Sequence, residues 1–235
     1  MENSQVSELK INATSVERNE SDAWLQNYAD ETERQHRRMA MPPKLAKIGL
    51  TSAHKSKAVL DMCCGHGEAL DALYTQGFRN LSGMDLTITD ELATDKRFSI
   101  SQGNVTSTNF PDASFDWVTC IHSLHHLASP HNVEKFVNES WRLLRPGGRL
   151  SIIDFPGSPQ IKLAFWYFRQ PKLHFTAYTK YFGRIIQEEW FFLKDYLPQW
   201  PQIRKQLWEG RFEVESSTST TFYYYLTLRK PDSTK

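Results

Sequence analysis

The apolar positions of this chain change their spacing along its length, and the changes mark out strands and helices in alternation. Ala58–Leu60 is an apolar run that ends in Asp61, passes through Met62-Cys63-Cys64-Gly65-His66-Gly67, and opens into a helical pattern. Leu70, Leu73 and Tyr74 share one face of that helix, and Gln76-Gly77 closes it as a C-cap. Leu81–Met84 predicts a second strand ending in Asp85. From Asp90 there is room for about two turns of helix before Phe98-Ser99-Ile100 begins a third strand, which ends at Gln102-Gly103-Asn104-Val105. A turn at Phe110-Pro111-Asp112-Ala113 leads into a fourth, apolar strand over Phe115–Ile121. Ser129-Pro130 supplies an N-cap and an N1 proline, and Val133, Phe136, Val137, Ser140, Trp141 and Leu144 follow at helical spacing. Arg145-Pro146-Gly147-Gly148 is expected to stop that helix, with Arg149–Phe155 as a fifth strand.

The flanks are less regular. Residues 1–20 are polar and aperiodic, which predicts a disordered tail, with residues 21–235 forming one domain. Trp24, Leu25 and Tyr28 share one helix face. Glu33, Arg34, His36, Arg37 and Arg38 read as a solvated helix face that Pro42-Pro43 breaks, leaving Lys44–Leu50 as a second short helix. Residues 156–197 are crowded with rings: Phe165, Trp166, Tyr167, Phe168, Phe175, Tyr178, Tyr181, Phe182, Trp190, Phe191, Phe192 and Tyr196. Ile186, Trp190, Leu193 and Leu197 make one core stripe there, and the rings exceed what one stripe can hold. Pro201–Glu209 reads as a separate last helix, and Phe212–Glu215 and Phe222–Leu228 as a hairpin around Ser216–Thr221. The alternation as a whole predicts an α/β protein.

Composition narrows the choices. At 235 residues and 40% hydrophobic content, the chain can bury one sizeable core. Its formal net charge of +1 gives no global field to recruit nucleic acid or an acidic membrane. No apolar run has the length of a membrane span and none near the start suits a signal peptide. Cys63, Cys64 and Cys120 suit neither a disulfide framework nor a zinc site, so a reduced, cytoplasmic protein without a metal is expected.

The chemistry concentrates at the first loop. A strand, a tight turn and a helix start place unpaired amides together, a site for a polar ligand that Gly67 allows to come close. A dinucleotide fingerprint would need a third Gly or Ala where Leu70 stands. Asp61-Met62-Cys63-Cys64-Gly65-His66-Gly67 instead resembles the Asp-x-Gly-Cys-Gly-x-Gly signature of class I S-adenosylmethionine-dependent methyltransferases, with Cys63 in place of the first Gly. The Asp-x-Cys-Cys-Gly form is similar to that of the quinone-biosynthesis type. Phe110-Pro111-Asp112-Ala113-Ser114-Phe115-Asp116-Trp117-Val118 resembles a passage of the type 11 methyltransferases, as does Leu144-Arg145-Pro146-Gly147-Gly148-Arg149-Leu150 with Ile152-Ile153-Asp154-Phe155. Leu124-His125-His126-Leu127 is also frequent in that family. The resemblance spans residues 55–155 by motif and 200–230 in outline.

The resemblance implies a Rossmann-like, doubly wound, seven-stranded sheet whose last strand is antiparallel, with a helical acceptor-recognition lid over residues 156–197. The implied cofactor is S-adenosylmethionine. Asp61 would meet its amino-acid end and Asp85, 24 residues on, its ribose diol. Cys63, Gly65, Gly67, Leu86, Asn104, Val105 and His122 complete the cofactor set, with Tyr28 a second candidate contact. Asn104 stands where the family has an acid, and reads either as an adenine contact or as a loop residue. His125 and His126 are the catalytic candidates, as general bases or as loop supports, with Glu188 and Glu189 as further candidate bases. Asp154 faces the site or caps its strand. The function implied is methyl transfer to a hydrophobic or aromatic small molecule, with no nucleic-acid partner. Two alternatives stand beside it: a non-catalytic S-adenosylmethionine-binding protein and a nicotinamide-dependent oxidoreductase.

Overall fold

The computed structural model describes residues 31–232. The tail over 1–20, the face of Trp24, Leu25 and Tyr28, and the side chains of Tyr178 and Tyr181 lie outside the described residues. Seven strands form one sheet in the order β3-β2-β1-β4-β5-β7-β6. These are β1 Val59–Met62, β2 Leu81–Asp85, β3 Ser99–Gln102, β4 Phe115–Ile121, β5 Leu144–Asp154, β6 Glu213–Ser219 and β7 Tyr224–Arg229. β1 to β5 are parallel, and β7 runs antiparallel to both of its neighbours, as the resemblance implies. Chain order reverses between β1 and β4, and such a switch point opens a crevice at the carboxyl ends of the strands. β1 is buried at every position, which explains why it reads as an unbroken apolar run rather than an alternating one.

Two cores flank the sheet. On one face, α1 (Glu31–Lys47), α2 (Glu68–Thr75) and α3 (Asp90–Thr94) enclose Leu45, Ile48, Leu70, Leu73, Phe78 and Leu92. On the other, α4 (Pro130–Leu143), α5 (Pro159–Phe168) and α6 (Ala177–Trp208) pack Phe136, Phe165, Leu193, Tyr196 and Leu207 against β4 and β5. The expected N-cap of α4 is present: Ser129 Oγ accepts from the Asn132 amide at 3.2 Å. Among the described residues no helix is long and apolar enough to cross a membrane.

Four boundaries differ from expectation. α1 runs unbroken through Pro42-Pro43, because Met41, Leu45 and Ile48 bury on one stripe spanning the prolines. α6 likewise runs to Trp208 through Pro198 and Pro201, so the lid and the last helix are one rod. Leu193, Tyr196, Leu197, Ile203 and Leu207 hold it to the core on both sides of the prolines, and Gln199 Nε2 donates to the Asp195 carbonyl at 2.7 Å, one turn back. β5 starts at Leu144 rather than Arg149: Phe115 pairs with Leu144 and Trp117 with Arg149, so Arg145–Gly148 bulges out of register. Gly147 takes φ +73° there, which the Lys230 carbonyl accommodates by accepting from its amide at 3.0 Å. The terminal turn lies at Thr220–Tyr223, later than expected, because β6 extends to Ser219.

Candidate active site

The first loop leaves β1 with Cys63 at φ +62°, the left-handed conformation that suits the glycine it replaces. Cys63 and Cys64 both donate backbone N–H bonds to the Met84 carbonyl, at 2.8 and 3.1 Å, which ties the loop to β2. Gly67 is the N-cap of α2 at φ +83°, and a Cβ there would stand 2.9 Å from Leu92 Cδ1. Three carboxylates converge on this loop. Asp61 is 3% exposed, and its Oδ1 accepts from Thr119 Oγ1 at 2.7 Å. Asp85 Oδ2 accepts from the Gly65 amide at 2.9 Å, and Oδ1 lies 3.4 Å from the Thr87 amide. Glu68 opens α2 with a buried Oε1 that has no hydrogen-bond partner, its ion-pair neighbour Arg37 being 3.8 Å away. Burial pushes the Asp61 carboxyl up to about 7, and repulsion from Glu68 and Asp85 adds to this against the Thr119 bond. Burial also raises Asp85, against the opposing bonds from Gly65 and Thr87.

A buried acidic ring suits a cationic ligand. S-adenosylmethionine carries a sulfonium and an ammonium, and the carboxylates of Asp61, Glu68 and Asp85 fit that charge. Leu86, 51% exposed at the end of β2, offers an apolar lip beside Asp85. The remaining members of the expected cofactor set are distributed differently. Asn104 is exposed and its Oδ1 accepts from Thr106 N and Oγ1 at 2.9 and 2.8 Å, closing a local turn. Val105 is packed in the core. His122, at φ +56° beyond β4, faces Lys44 of α1.

The two candidate bases lie in a 3-10 turn at Leu124–Leu127, and both face Glu189 of α6. His125 is 1% exposed: its Nδ1 is 2.8 Å from Asp154 Oδ1 and its Nε2 3.2 Å from Glu189 Oε2. Asp154 Oδ2 also accepts the His125 amide at 3.1 Å. Burial disfavours charge on His125, but the two carboxylates outweigh it and raise it to about 10, so the ring is a fixed imidazolium at neutral pH. Glu189, buried in α6, would be held up by that burial, yet His126 and His125 bring it well below the usual carboxylate range. His126 Nε2 meets the same Glu189 Oε2 at 3.0 Å, with its ring stacked 4.4 Å from Phe192. The cluster therefore docks α6 onto the end of β4. Its three inward donor atoms lie within 4.8 Å of one another, a spacing that would also admit a metal ion.

Beside the cluster lies a cavity of about 290 Å³. Phe165 and Phe168 of α5 and Phe182, Ile185, Ile186 and Glu189 of α6 form one wall; His36, Arg37, Ala40 and Lys44 of α1 form another. His122, His125, Phe155, Phe222 and Tyr223 complete it. Lys44 Nζ is 2.8 Å from His122 Nε2. Nothing local in the sequence singles out Lys44; it meets His122 only because α1 crosses the crevice, which the expected break at Pro42-Pro43 would have prevented. Arg37, read as part of a solvated face, is half-buried against Glu68 and the cavity.

Comparison with known proteins bears on this geometry. Residues 60–152 match a family described as a methyltransferase domain. A demethylmenaquinone methyltransferase of Deinococcus radiodurans is 33% identical over 112 residues, covering 44% of this chain and 45% of the relative. A 27-O-demethylrifamycin SV methyltransferase of Amycolatopsis mediterranei is 29% identical over 116 residues, covering 46% and 42%. The chain thus matches less than half the length of these two curated relatives. In fold it is similar to the 1,6-didemethyltoxoflavin-N1-methyltransferase of Burkholderia thailandensis, solved with 1,6-didemethyltoxoflavin and S-adenosylhomocysteine: TM-score 0.56, 19% identity, 90% of this chain and 87% of that one. The reversal at β1 and β4, the inserted antiparallel β7, the acidic glycine loop and the matched domain agree. Residues 60–152 thus match a methyltransferase domain, carried on a sheet whose fold is similar to that of a solved S-adenosylhomocysteine-bound methyltransferase.

Proposed function

We propose that this protein transfers the methyl group of S-adenosylmethionine to a hydrophobic or aromatic small molecule. The cavity carries the reading: rings from four separate elements enclose it at the carboxyl end of β4, the strand beside the glycine loop. Bound there, the cofactor would supply an electrophilic methyl carbon on a positively charged sulfur. Asp61 and Glu68 would neutralise and orient the cofactor's amino-acid end, and Asp85 would accept from its ribose hydroxyls. Phe155, Phe165 and Phe168 would hold a flat acceptor by area and ring contact while excluding water, so that catalysis rests chiefly on positioning. A nucleic-acid acceptor would need a long basic groove, and this cavity is small and mainly apolar. The three free cysteines suit the reducing cytoplasm, where we place the protein.

The acidic ring also argues against the nicotinamide alternative, because a pyrophosphate brought to Asp61, Glu68 and Asp85 would meet like charge. A non-catalytic binder would leave the aromatic cavity without a purpose. The test is calorimetric titration with S-adenosylmethionine and with nicotinamide dinucleotides, followed by assay of S-adenosylhomocysteine against phenols, quinols, amines and peptides. Binding of the sulfonium cofactor alone, with turnover on lipophilic ring compounds, is expected. Turnover only on polar macromolecules would sink the acceptor assignment.

A further inference from the structure

Resting on that reading, we propose that Lys44 and His122 form the acceptor's docking and deprotonation site, and that the acceptor is a phenol or enol methylated on oxygen. Lys44 Nζ and His122 Nε2 are 2.8 Å apart on the cavity wall. Among the described residues no carboxylate forms an ion pair with Lys44, so this half-buried ammonium lacks a counter-ion of its own. The Tyr223 ring lies 5.1 Å from Nζ and 4.5 Å from the His122 ring, and Phe155, Phe165 and Phe168 complete a slot for an aromatic plane. A cation with no carboxylate paired to it among the described residues, at the end of an aromatic slot, is complementary to a flat molecule bearing one acidic oxygen.

The other groups at the cavity do not serve. Both ring nitrogens of His125 are engaged by Asp154 and Glu189, and Glu189 faces His125 and His126. Charged groups bear on the pair from every side. Arg37 and Lys47 share α1 with Lys44, Glu68 comes from α2, and His125 and Glu189 approach His122 from the turn and from α6. Burial lowers Lys44 to about 8, helped by Arg37 and Lys47 and opposed by Glu68, and burial with Lys44 holds His122 well below its usual range. Around neutral pH a neutral His122 therefore accepts from the Lys44 ammonium, and a minor fraction of Lys44 is a free amine able to take a proton. The step balances: the acceptor O–H proton passes to the Lys44 amine, the oxygen lone pair forms the new C–O bond, and the C–S bond breaks with its electron pair remaining on sulfur. The ammonium then returns its proton to solvent.

The probe is 4-nitrophenol, whose ionised form is coloured, titrated into the full chain without added cofactor. Bound to the wild-type protein it should ionise about one to two pH units below the free phenol, the effect of an opposite charge in contact. Lys44→Met should lose that shift and bind roughly tenfold more weakly, a loss of about 1.4 kcal/mol. Lys44→Arg, which keeps the cation, should restore the shift. Circular dichroism checks each fold, and Lys44→Gln replaces Lys44→Met if the latter unfolds. No shift in the wild type, no binding, or an equal shift after loss of the cation overturns the proposal. S-adenosylmethionine binding without the shift rejects the hydroxyl site alone; the shift without S-adenosylmethionine binding rejects the methyltransferase reading alone.

Discussion

Asp61, with its carboxyl raised to about 7, holds a proton part of the time at neutral pH. A cation arriving at the loop favours the charged carboxylate and expels that proton. Calorimetric binding of S-adenosylmethionine at pH 7 should therefore release a fraction of a proton, seen as a heat that varies with the buffer's ionisation enthalpy. As the pH rises above 7 the carboxylate is increasingly ionised before binding, and the proton it releases should diminish; proton uptake at pH 7 would refute the role. His125 obeys the opposite sign. Its folded value, about 10, lies above the unfolded 6.5, so its stabilisation is full below about 6.5 and is lost as pH rises through about 10. Glu189 is depressed, so its share is present above the ordinary 4.5 and is lost as pH falls through its lower value. His125→Gln should strand two buried carboxylates at a cost of about 3–5 kcal/mol. A melting temperature lower by roughly 10 °C is expected for a chain of this size, and any remaining turnover should keep its pH profile. A profile that loses a group titrating near neutrality would restore His125 as a base. The two histidines were legible as a motif, but their role was not. Asp154 and Glu189 lie 29 and 64 residues away, and only the end of β5 and the fourth turn of α6 bring them in.

Most strands and helix starts were legible, because parallel strands must be apolar on both faces and caps have local chemistry. The errors fell on prolines. Each interior proline costs about 3 kcal/mol in an isolated helix, so a local reading breaks α1 and α6. Leu45 and Ile48 beyond one pair, and Ile203 and Leu207 beyond the other, bury completely or nearly so and keep each helix continuous. Continuity leaves α6 uneven. From Leu193 onward it is anchored by five buried apolar residues, whereas over residues 182–192 the buried side chains are Ile186 and Glu189. Amide hydrogen exchange should accordingly be faster over 182–192 than over 193–208, and a bound lipophilic acceptor should slow the first stretch selectively. Uniform protection along the helix would contradict a lid built on one fixed end.

The whole molecule divides into a sheet that could be foreseen and a crevice whose contents could not. The grouping of Asp61, the glycines and Asp85 around one loop was legible because they lie close in sequence on adjoining strands. The aromatic cavity is assembled from α1, the end of β4, α5, α6 and the turn before β7, and no spacing rule links Lys44 to His122 or Phe165 to Tyr223. Beside the glycine loop, α1 packs on α2. Arg34, Arg37 and Arg38 reach from it to Glu91, Glu68 and Asp71, at 3.0, 3.8 and 3.0 Å. These guanidiniums are partly exposed to the medium, where dissolved ions screen charge over about 8 Å at physiological ionic strength. The fastening of that helix is thus adjustable from outside the protein. Added potassium chloride should hasten escape of bound S-adenosylhomocysteine in stopped-flow measurements while leaving the melting temperature nearly unchanged. An escape rate indifferent to salt would mean that apolar contacts alone hold the helix down. If it does respond, the ionic content of the surroundings acts as a throttle on how quickly the spent molecule is exchanged for a fresh one.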